Sequence, residues 1–360
     1  GIIEEIGREA RFRILLAPEP DGLLDQAVAA ANHEQALRHL LDWLDTRDPG
    51  LNLRAAGHRV VHGGADYLHP VRVDVAVLAN LEKLIPLSPL HQPHNLAGIH
   101  ALARLRPDLP QVACFDTAFH HTLPPRARRL ALPRELDKRG IRRYGFHGLS
   151  YEHIAAVLPD YLGDAAAGRV VVAHLGNGAS LCAMQHGRSV ETSMSFTPLD
   201  GIPMASRCGA LDPGVLLYLL REEGMTPAQL DDLLQHRAGL LGVSGLSGDV
   251  RTLLASDDPH AAEALELFAY RTAQAIVGHA VALEGLDALV FTAGIGEHAA
   301  PVRAAICRHL AWLGLTLDAA ANARHGPRIS QADSRISAWI IPTDEEKVIA
   351  QHTAALTAGP

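Results

Sequence analysis

Apolar runs broken by small or polar residues mark out the elements of this chain. Residues 170–172 are a β-branched run, the pattern of a buried strand. Residues 174–180 read as a tight turn of small residues, residues 181–184 as a second strand, and His186-Gly187 as the next turn. Segments 111–115, 286–291 and 339–342 are further strand candidates, and 54–61 leads into another. Helical spacing of Leu24, Ala27, Ala31, Leu37, Leu40, Leu41 and Leu44 predicts one or two helices over 23–44. Helices are also predicted over 95–105, 151–158, 215–222, 227–236, 260–283, 300–313 and from Asp344 to near Leu356. Loops fall at the proline-rich segment 84–95, at 197–203 and at 243–249. Strands interleaved with helices indicate an α/β fold.

Composition sets limits on this picture. A length of 360 residues suits two domains or one large α/β domain, and 48% hydrophobic with only 4% aromatic residues predicts an aliphatic core. The net charge of −8, without a Lys/Arg block, argues against a nucleic-acid partner. Small anions stay open, because a few placed arginines decide that locally. Cys114, Cys182, Cys208 and Cys307 lie far apart with no Cys-x-x-Cys, which reads most simply as reduced thiols in the cytosol. No apolar run of about 18 residues or more is present, so no membrane span is expected, and no signal peptide is visible.

Several segments carry candidate chemistry. The turn at 174–180 would leave backbone N–H groups bare where glycines let phosphate oxygens approach, although an ordinary Asn-Gly hairpin fits the same residues. A second glycine-rich turn, 292–297, joins a strand to a helix N-terminus, a ready anion or nucleotide site. Asp116 sits just past the end of strand 111–115, where α/β folds place ligands. His58 and His62 have a helical metal-ligand spacing, but Val60-Val61 and the flanking glycines favour a strand, where such residues lie about 13 Å apart. A zinc site is therefore not expected there. Acidic residues 344–346 are ordinary helix starters.

Taken in chain order, eight blocks add up to a family. They are Gly57-His58-Arg59-Val60-Val61-His62-Gly63-Gly64, Pro89-Leu90-His91, Phe115-Asp116-Thr117-Ala118-Phe119-His120, Arg143-Tyr144-Gly145-Phe146-His147-Gly148, His174-Leu175-Gly176-Asn177-Gly178-Ala179-Ser180, Arg207-Cys208-Gly209, Phe291-Thr292-Ala293-Gly294-Ile295-Gly296-Glu297 and Pro342-Thr343-Asp344-Glu345-Glu346. Over nearly its whole length the chain resembles the acetate kinases, of the acetate and sugar kinase, heat-shock ATPase and actin superfamily. The resemblance implies two ribonuclease-H-like α/β domains around a central cleft, with 1–115 plus 343–360 in the first and 116–342 in the second. It also implies a cytoplasmic homodimer, ATP and ADP as co-substrates with Mg²⁺ or Mn²⁺, and reversible phosphorylation of acetate to acetyl phosphate.

Residue roles follow from the same resemblance. Arg59 and Arg207 are similar to the paired arginines that hold the carboxylate and the transferring phosphate, His147 to the histidine that donates to the equatorial oxygens, and His91 to a substrate-side histidine. Asp116 matches the active-site acid and is expected to orient Arg59 or the metal, since ionised acetate needs no general base. Val61, Leu90, Phe146 and Pro198 match the pocket around the acetate methyl. His174, Leu175, Gly176, Asn177 and Gly178 match the phosphate hairpin. Asp249, Val250 and Arg251, with Gly294, Ile295, Gly296, Glu297 and His298, match the adenosine side. Glu345 matches the magnesium-linked acid, with Glu346 adjacent.

Departures from the family pattern are visible. An opening strand with Asn-x-Gly-Ser-Ser-Ser-x-Lys is absent, and the chain starts at Gly1, so the first hairpin is expected to lie outside this sequence. Ala65 replaces a frequent Glu, Leu149 and Tyr151 replace Thr and His, Ala205-Ser206 replace Gly-Thr, and Val250 replaces Phe. Propionate or another short-chain carboxylate is the near alternative substrate. A catalytically impaired nucleotide-binding homologue, or an unrelated sugar kinase or metal hydrolase, are the others.

Overall fold

The computed structural model describes residues 1–15 and 23–358. In chain order the first elements are β1 (Ile2–Glu4), β2 (Arg11–Leu15), β3 (Leu23–Ala27), α1 (His33–Arg47), β4 (Ala56–Val60), β5 (Val71–Arg72), α2 (Val75–Glu82), α3 (Gln92–Leu105) and β6 (Gln111–Phe115). Next come α4 (Pro125–Arg128), α5 (Arg134–Lys138), α6 (Gly148–Leu162), β7 (Arg169–Leu175), β8 (Ala179–Gln185), β9 (Arg188–Thr192), α7 (Pro213–Arg221), α8 (Pro227–His236) and α9 (Gly239–Ser244). The chain closes with α10 (Val250–Leu254), α11 (Pro259–Leu283), β10 (Ala288–Thr292), α12 (Ala293–His298), α13 (Ala300–Leu310), α14 (Ala319–Ala323), β11 (Ser337–Ile340) and α15 (Glu345–Thr357). Two compact units result, one of Gly1–Gly63, His69–Phe115 and Ile349–Pro360, the other of Gly64–Leu68 and Asp116–Val348.

In the first unit β1, β2 and β3 form an antiparallel sheet. Phe12 of β2 is buried and meets His39 and Trp43 of α1 edge-on, each at 5.4 Å, which seats the helix on the sheet. The helix expected from Leu24 onward is therefore corrected. Residues 23–27 are a strand whose Asp25 accepts from Arg11 Nε at 2.9 Å and Arg13 Nε at 3.1 Å. A short run such as Leu24, Ala27 and Ala31 also fits helical spacing, so periodicity alone misleads here. The helix begins only after Asn32, whose side chain accepts from Gln35 N.

A second sheet has the order β4-β6-β5, with β4 parallel to β6 and β5 antiparallel. Gly57 of β4 has to be glycine, because a Cβ there would stand 2.3 Å from Thr353 Oγ1 and 2.4 Å from Ile349 Cγ2. Helix α3 starts at Gln92 rather than at the expected residue 95. Its proline sits in the first turn, where no N–H is needed. Gln92 Nε2 donates to the carbonyls of His62 and Leu81, and Asn95 Oδ1 accepts from Val61 N at 3.0 Å.

In the second unit the sheet order is β11-β10-β7-β8-β9. Strands β7, β8 and β9 are antiparallel neighbours, while β10 and β11 run parallel to β7, the arrangement of a ribonuclease-H-like domain. Tyr151, Ile154 and Leu158 of α6 pack with Val170, Val172, Cys182, Met184 and Val290 in one buried cluster. All residues of β7 after Arg169 are buried, as continuous apolar runs covered on both faces must be. Three expected loops are shorter than predicted. His174 and Ser180 lie within β7 and β8, leaving only 176–178 as the turn. Residues 293–298 are helical from the end of β10, and α9 occupies the start of the expected loop at 243–249. Among the described residues no helix is long and apolar enough to cross a membrane.

Candidate active site

The first unit holds four of the expected residues. Strand β4 carries Arg59, exposed, and ends beside the buried Val61. The start of α3 is tied to that strand end through Asn95 and Gln92, which brings the half-buried Leu90 and His91 to the same place.

The second unit builds a larger cluster from four segments. His147 stands at the N-terminus of α6 with φ 57°, a left-handed conformation held by Gly148, whose N–H donates to Asp116 O at 2.8 Å. Gly148 has no room for a side chain, since a Cβ would lie 2.2 Å from that same carbonyl oxygen. Asp116 is itself buried. The imidazole of His147 stacks on that of His174 with centroids 4.2 Å apart. His147 Nδ1 lies 2.8 Å from Ser180 Oγ, and the buried Tyr151 hydroxyl bonds the same Ser180 oxygen. His174 Nδ1 lies 2.8 Å from Ser150 Oγ, which accepts from Thr343 Oγ1 at 2.8 Å.

Arg207 reaches this cluster from the loop after β9. Its Nη1 donates to Pro198 O at 2.8 Å, so the proline expected in the acyl pocket also aims the guanidinium. The loop is pinned by Met204 N donating to Arg207 O, Leu240 N to Met204 O, and Ala205 N to Asn177 O in the hairpin turn. A side-chain carbon on Gly178 would stand 3.1 Å from Arg207 Nη2 and 3.2 Å from His147 Nε2. The turn thus offers backbone between a cation and an imidazole, with nothing of its own in the way. Burial lowers the pKa of Arg207, because the charged guanidinium loses water there.

Beyond the turn a cavity of about 380 Å³ is lined by Gly176, Asn177, Asp249, Val250, Arg251, Gly294, Ile295 and His298, among others. The two glycine-rich turns and the 249–251 segment therefore share one space. The register explains it: Thr292 pairs with His174, so β7 and β10 end at one level. Asp249 caps α10 and pairs with the exposed Arg251, whose guanidinium holds the carboxyl down to about 2. Glu297 is turned inward: its Oε1 accepts from Ala293 N at 2.9 Å and Thr343 N at 3.2 Å. Leu175 is buried in the core below the turn, and Gly296 packs on the end of β10. Glu345 is half-buried and near enough to help raise the pKa of Tyr151, whereas Glu346 is exposed. Phe146 is buried and its carbonyl accepts from His120 Nε2.

The sequence reading passed over five contributors. Ser150 and Tyr151 follow His147 at helical spacings of three and four, so a shared face was the available signal. Ser180 and Thr343 sat inside quoted motifs without a role. Arg303 of α13 is fully buried, and donates to the carbonyls of Gly296 and Glu297 and to Asn322. A charged residue inside the apolar stripe of a helix was its only mark. All four cysteines are thiols. Cys182 and Cys307 are pushed up to about 12 by burial, and neither is poised to react.

The acetokinase family model matches residues 1–351. An acetate kinase of Rhodopseudomonas palustris (strain ATCC BAA-98 / CGA009) is 56% identical over 362 residues, covering 100% of this chain and 91% of that one. One from Rhizobium meliloti is 50% identical over 365 residues, covering 100% and 92%. Among solved structures, an acetate kinase of Porphyromonas gingivalis superposes with a TM-score of 0.87 at 35% identity, covering 98% of this chain and 92% of that one. A propionate kinase of Francisella tularensis subsp. tularensis SCHU S4 gives a TM-score of 0.92 at 35% identity with the same coverage.

Proposed function

The chain belongs to the acetokinase family, and on that premise we propose that it is an acetate kinase, transferring the terminal phosphoryl of ATP to acetate and reversing that step with acetyl phosphate and ADP. The observation that carries this reading is the approach of Arg207 and His147 to the bare backbone of Gly178. Acetate is ionised at neutral pH and attacks without a base. The protein's task is then to bring two anions together and to stabilise charge on the transferring group. Arg207 and Arg59 hold the phosphoryl and carboxylate oxygens, for which a planar guanidinium has matched donors. His147 donates to the equatorial oxygens, and His91 holds the acyl side. The hairpin 174–178 takes the phosphates by its N–H groups, and the cavity lined by 249–251 and 294–298 takes the nucleoside. Val61, Leu90, Phe146 and Pro198 border the methyl group. Asp116 orients its neighbours.

A divalent cation fits as part of the nucleotide complex. Among the described residues no group of three or more His, Cys, Asp or Glu could cage an ion. Mg²⁺ is commonly held by one or two carboxylates, with phosphates and water completing the shell. Glu345 and Asp116 supply hard oxygen donors of that kind. When bound, the ion neutralises phosphate charge.

The remaining readings concern setting. Exposed Leu211, Val215, Leu217 and Tyr218, on and just before α7, support a homodimer, which sedimentation velocity checks. Four thiols support a cytoplasmic location. The functional test is ADP release with acetate, propionate, butyrate and glucose as acceptors. Acetate should give the highest kcat/KM, with propionate second, because one methylene in an apolar pocket is worth only about 1–3 kcal/mol. Arg207→Ala should lower kcat at least about a hundredfold with little change in ATP binding. An unchanged kcat removes Arg207 from the transition state.

A further inference from the structure

The hydroxyls packed against His147 Nδ1 bear on which of its nitrogens carries the proton. Tyr151 is fully buried, and the partner of its hydroxyl among the described residues is Ser180 Oγ. A buried phenol has to place its hydrogen on an acceptor, so Tyr151 donates to Ser180. Ser180 is fully buried too and owns one hydroxyl hydrogen. With Tyr151 on its lone pair, Ser180 donates to His147 Nδ1, 2.8 Å away. In that arrangement Nδ1 is an acceptor, and the proton of a neutral ring falls to Nε2. That is the nitrogen 3.2 Å from where a Cβ of Gly178 would stand, beside Arg207 Nη2.

We propose that Tyr151 and Ser180 are positioning residues, forming a one-way hydrogen-bond relay that holds His147 as the neutral Nε2–H tautomer and so presents a donor to the transferring phosphoryl oxygens. The role given to the donor rests on the phosphoryl-transfer reading above; the tautomer does not. The opposite tautomer would turn a lone pair toward those oxygens. A hydrogen on Nδ1 would leave the Ser180 hydrogen without an acceptor. Burial drives the pKa of Tyr151 well above its ordinary value, so the phenol remains a donor at any working pH. A histidine at this position could donate or accept; tyrosine makes the direction permanent. The second stacked ring repeats the device. Thr343 Oγ1 donates to Ser150 Oγ, Ser150 donates to His174 Nδ1, and His174 Nε2 lies 4.0 Å from where a Cβ of Gly176 would stand.

The test is ¹⁵N NMR of the histidine rings in the whole protein at pH 7.5, with the His147 signals assigned by their loss in His147→Gln, read beside acetate-dependent ADP release. The wild type should show His147 protonated on Nε2. Tyr151→Phe keeps the ring that packs in the core but lets Ser180 turn, so the Nδ1–H form should become populated. Its kcat should fall about tenfold with the KM for ATP unchanged. Ser180→Ala should do the same from the other end. A His147 protonated on Nδ1 in the wild type overturns the proposal, as does a Tyr151→Phe enzyme with unaltered tautomer and kcat. An Nε2–H signal in a protein that fails to phosphorylate any carboxylate supports the relay and overturns the phosphoryl-transfer reading instead.

Discussion

Arg303→Met removes the cation that holds the end of α12 while keeping most of the side chain's length. Arg303 is fully buried. It donates to Gly296 O and Glu297 O at 2.9 Å each, to Asn322 Oδ1 and Asn322 O at 2.8 Å each, and it touches His325 Nδ1 at 3.2 Å. Burial brings its pKa from 12.5 to about 10, so the group is still cationic at neutral pH. Charge-assisted bonds are worth about 1.5–3 kcal/mol each, and a buried acceptor left bare costs about 1–3 kcal/mol. Against this stands the desolvation relieved when the charge is removed, and the net loss expected for breaking such a network is about 3–5 kcal/mol. A typical domain has only about 5–15 kcal/mol to lose. Urea unfolding at pH 7.5, followed by circular dichroism, measures it. The two carbonyls belong to α12, whose Gly294, Ile295 and His298 line the cavity proposed for the nucleoside, so the KM for ATP should rise about tenfold as that helix loosens. A loss below about 1 kcal/mol with an unchanged KM would refute the reasoning, since it would mean that the carbonyls find other donors at no cost.

Gly178→Ala should abolish most turnover while leaving the fold intact, because the new carbon would stand about 3 Å from both Arg207 Nη2 and His147 Nε2; a melting curve and single-turnover kinetics separate the two effects, and wild-type kcat would place the reacting group elsewhere. Acid should destabilise the protein earlier than its carboxylates alone would. Burial lowers His62, His120 and His279 from 6.5 to about 4, so between those values the unfolded chain binds protons that the folded chain refuses. Stability is therefore lost as pH falls through 6.5 toward 4, each histidine accounting for about 2 kcal/mol by pH 5. Urea midpoints at pH 7 and pH 5 check this, and equal midpoints contradict it. Val61→Ala should widen the acyl pocket and raise the propionate-to-acetate ratio of kcat/KM about fivefold; an unaltered ratio removes Val61 from the lining.

Much of the fold was legible because its central strands are long apolar runs. Segments 111–115 and 170–172 fall inside β6 and β7, and the helix predicted over 227–236 coincides with α8, which opens on a Thr226 capping box with Pro at its first turn. The errors fell where local signals are ambiguous or overridden. Leu24 and Ala27 lie three apart, a helical spacing, yet in β3 they fall on opposite faces, Leu24 half-buried and Ala27 exposed. His174 and Ser180 looked like turn residues because they are polar, yet the ladder carries them to the strand ends, where serine hydroxyls bond the imidazoles of His174 and His147. The cluster at 176–178, 249–251 and 294–298 was readable only through motif order; residues so far apart carry no mark of sharing a cavity until β7 and β10 are paired. Arg303 and the Tyr151–Ser180 contact could not be read at all, since what they do depends on which neighbours burial hands them.

That pairing has a consequence for synthesis on the ribosome. Val170 must wait for Ala288 before β7 gains its parallel neighbour, so the cavity lined by 176–177 and 294–299 stays incomplete in a nascent chain until α12 is out as well. The first unit waits longer still, because the helical residues that press on Gly57, Ile349 and Thr353, come only after the whole of the second unit. The first unit is thus completed only after the second has emerged, and until then its β-strands lack the helix that packs on them, an exposure that chaperones exist to manage.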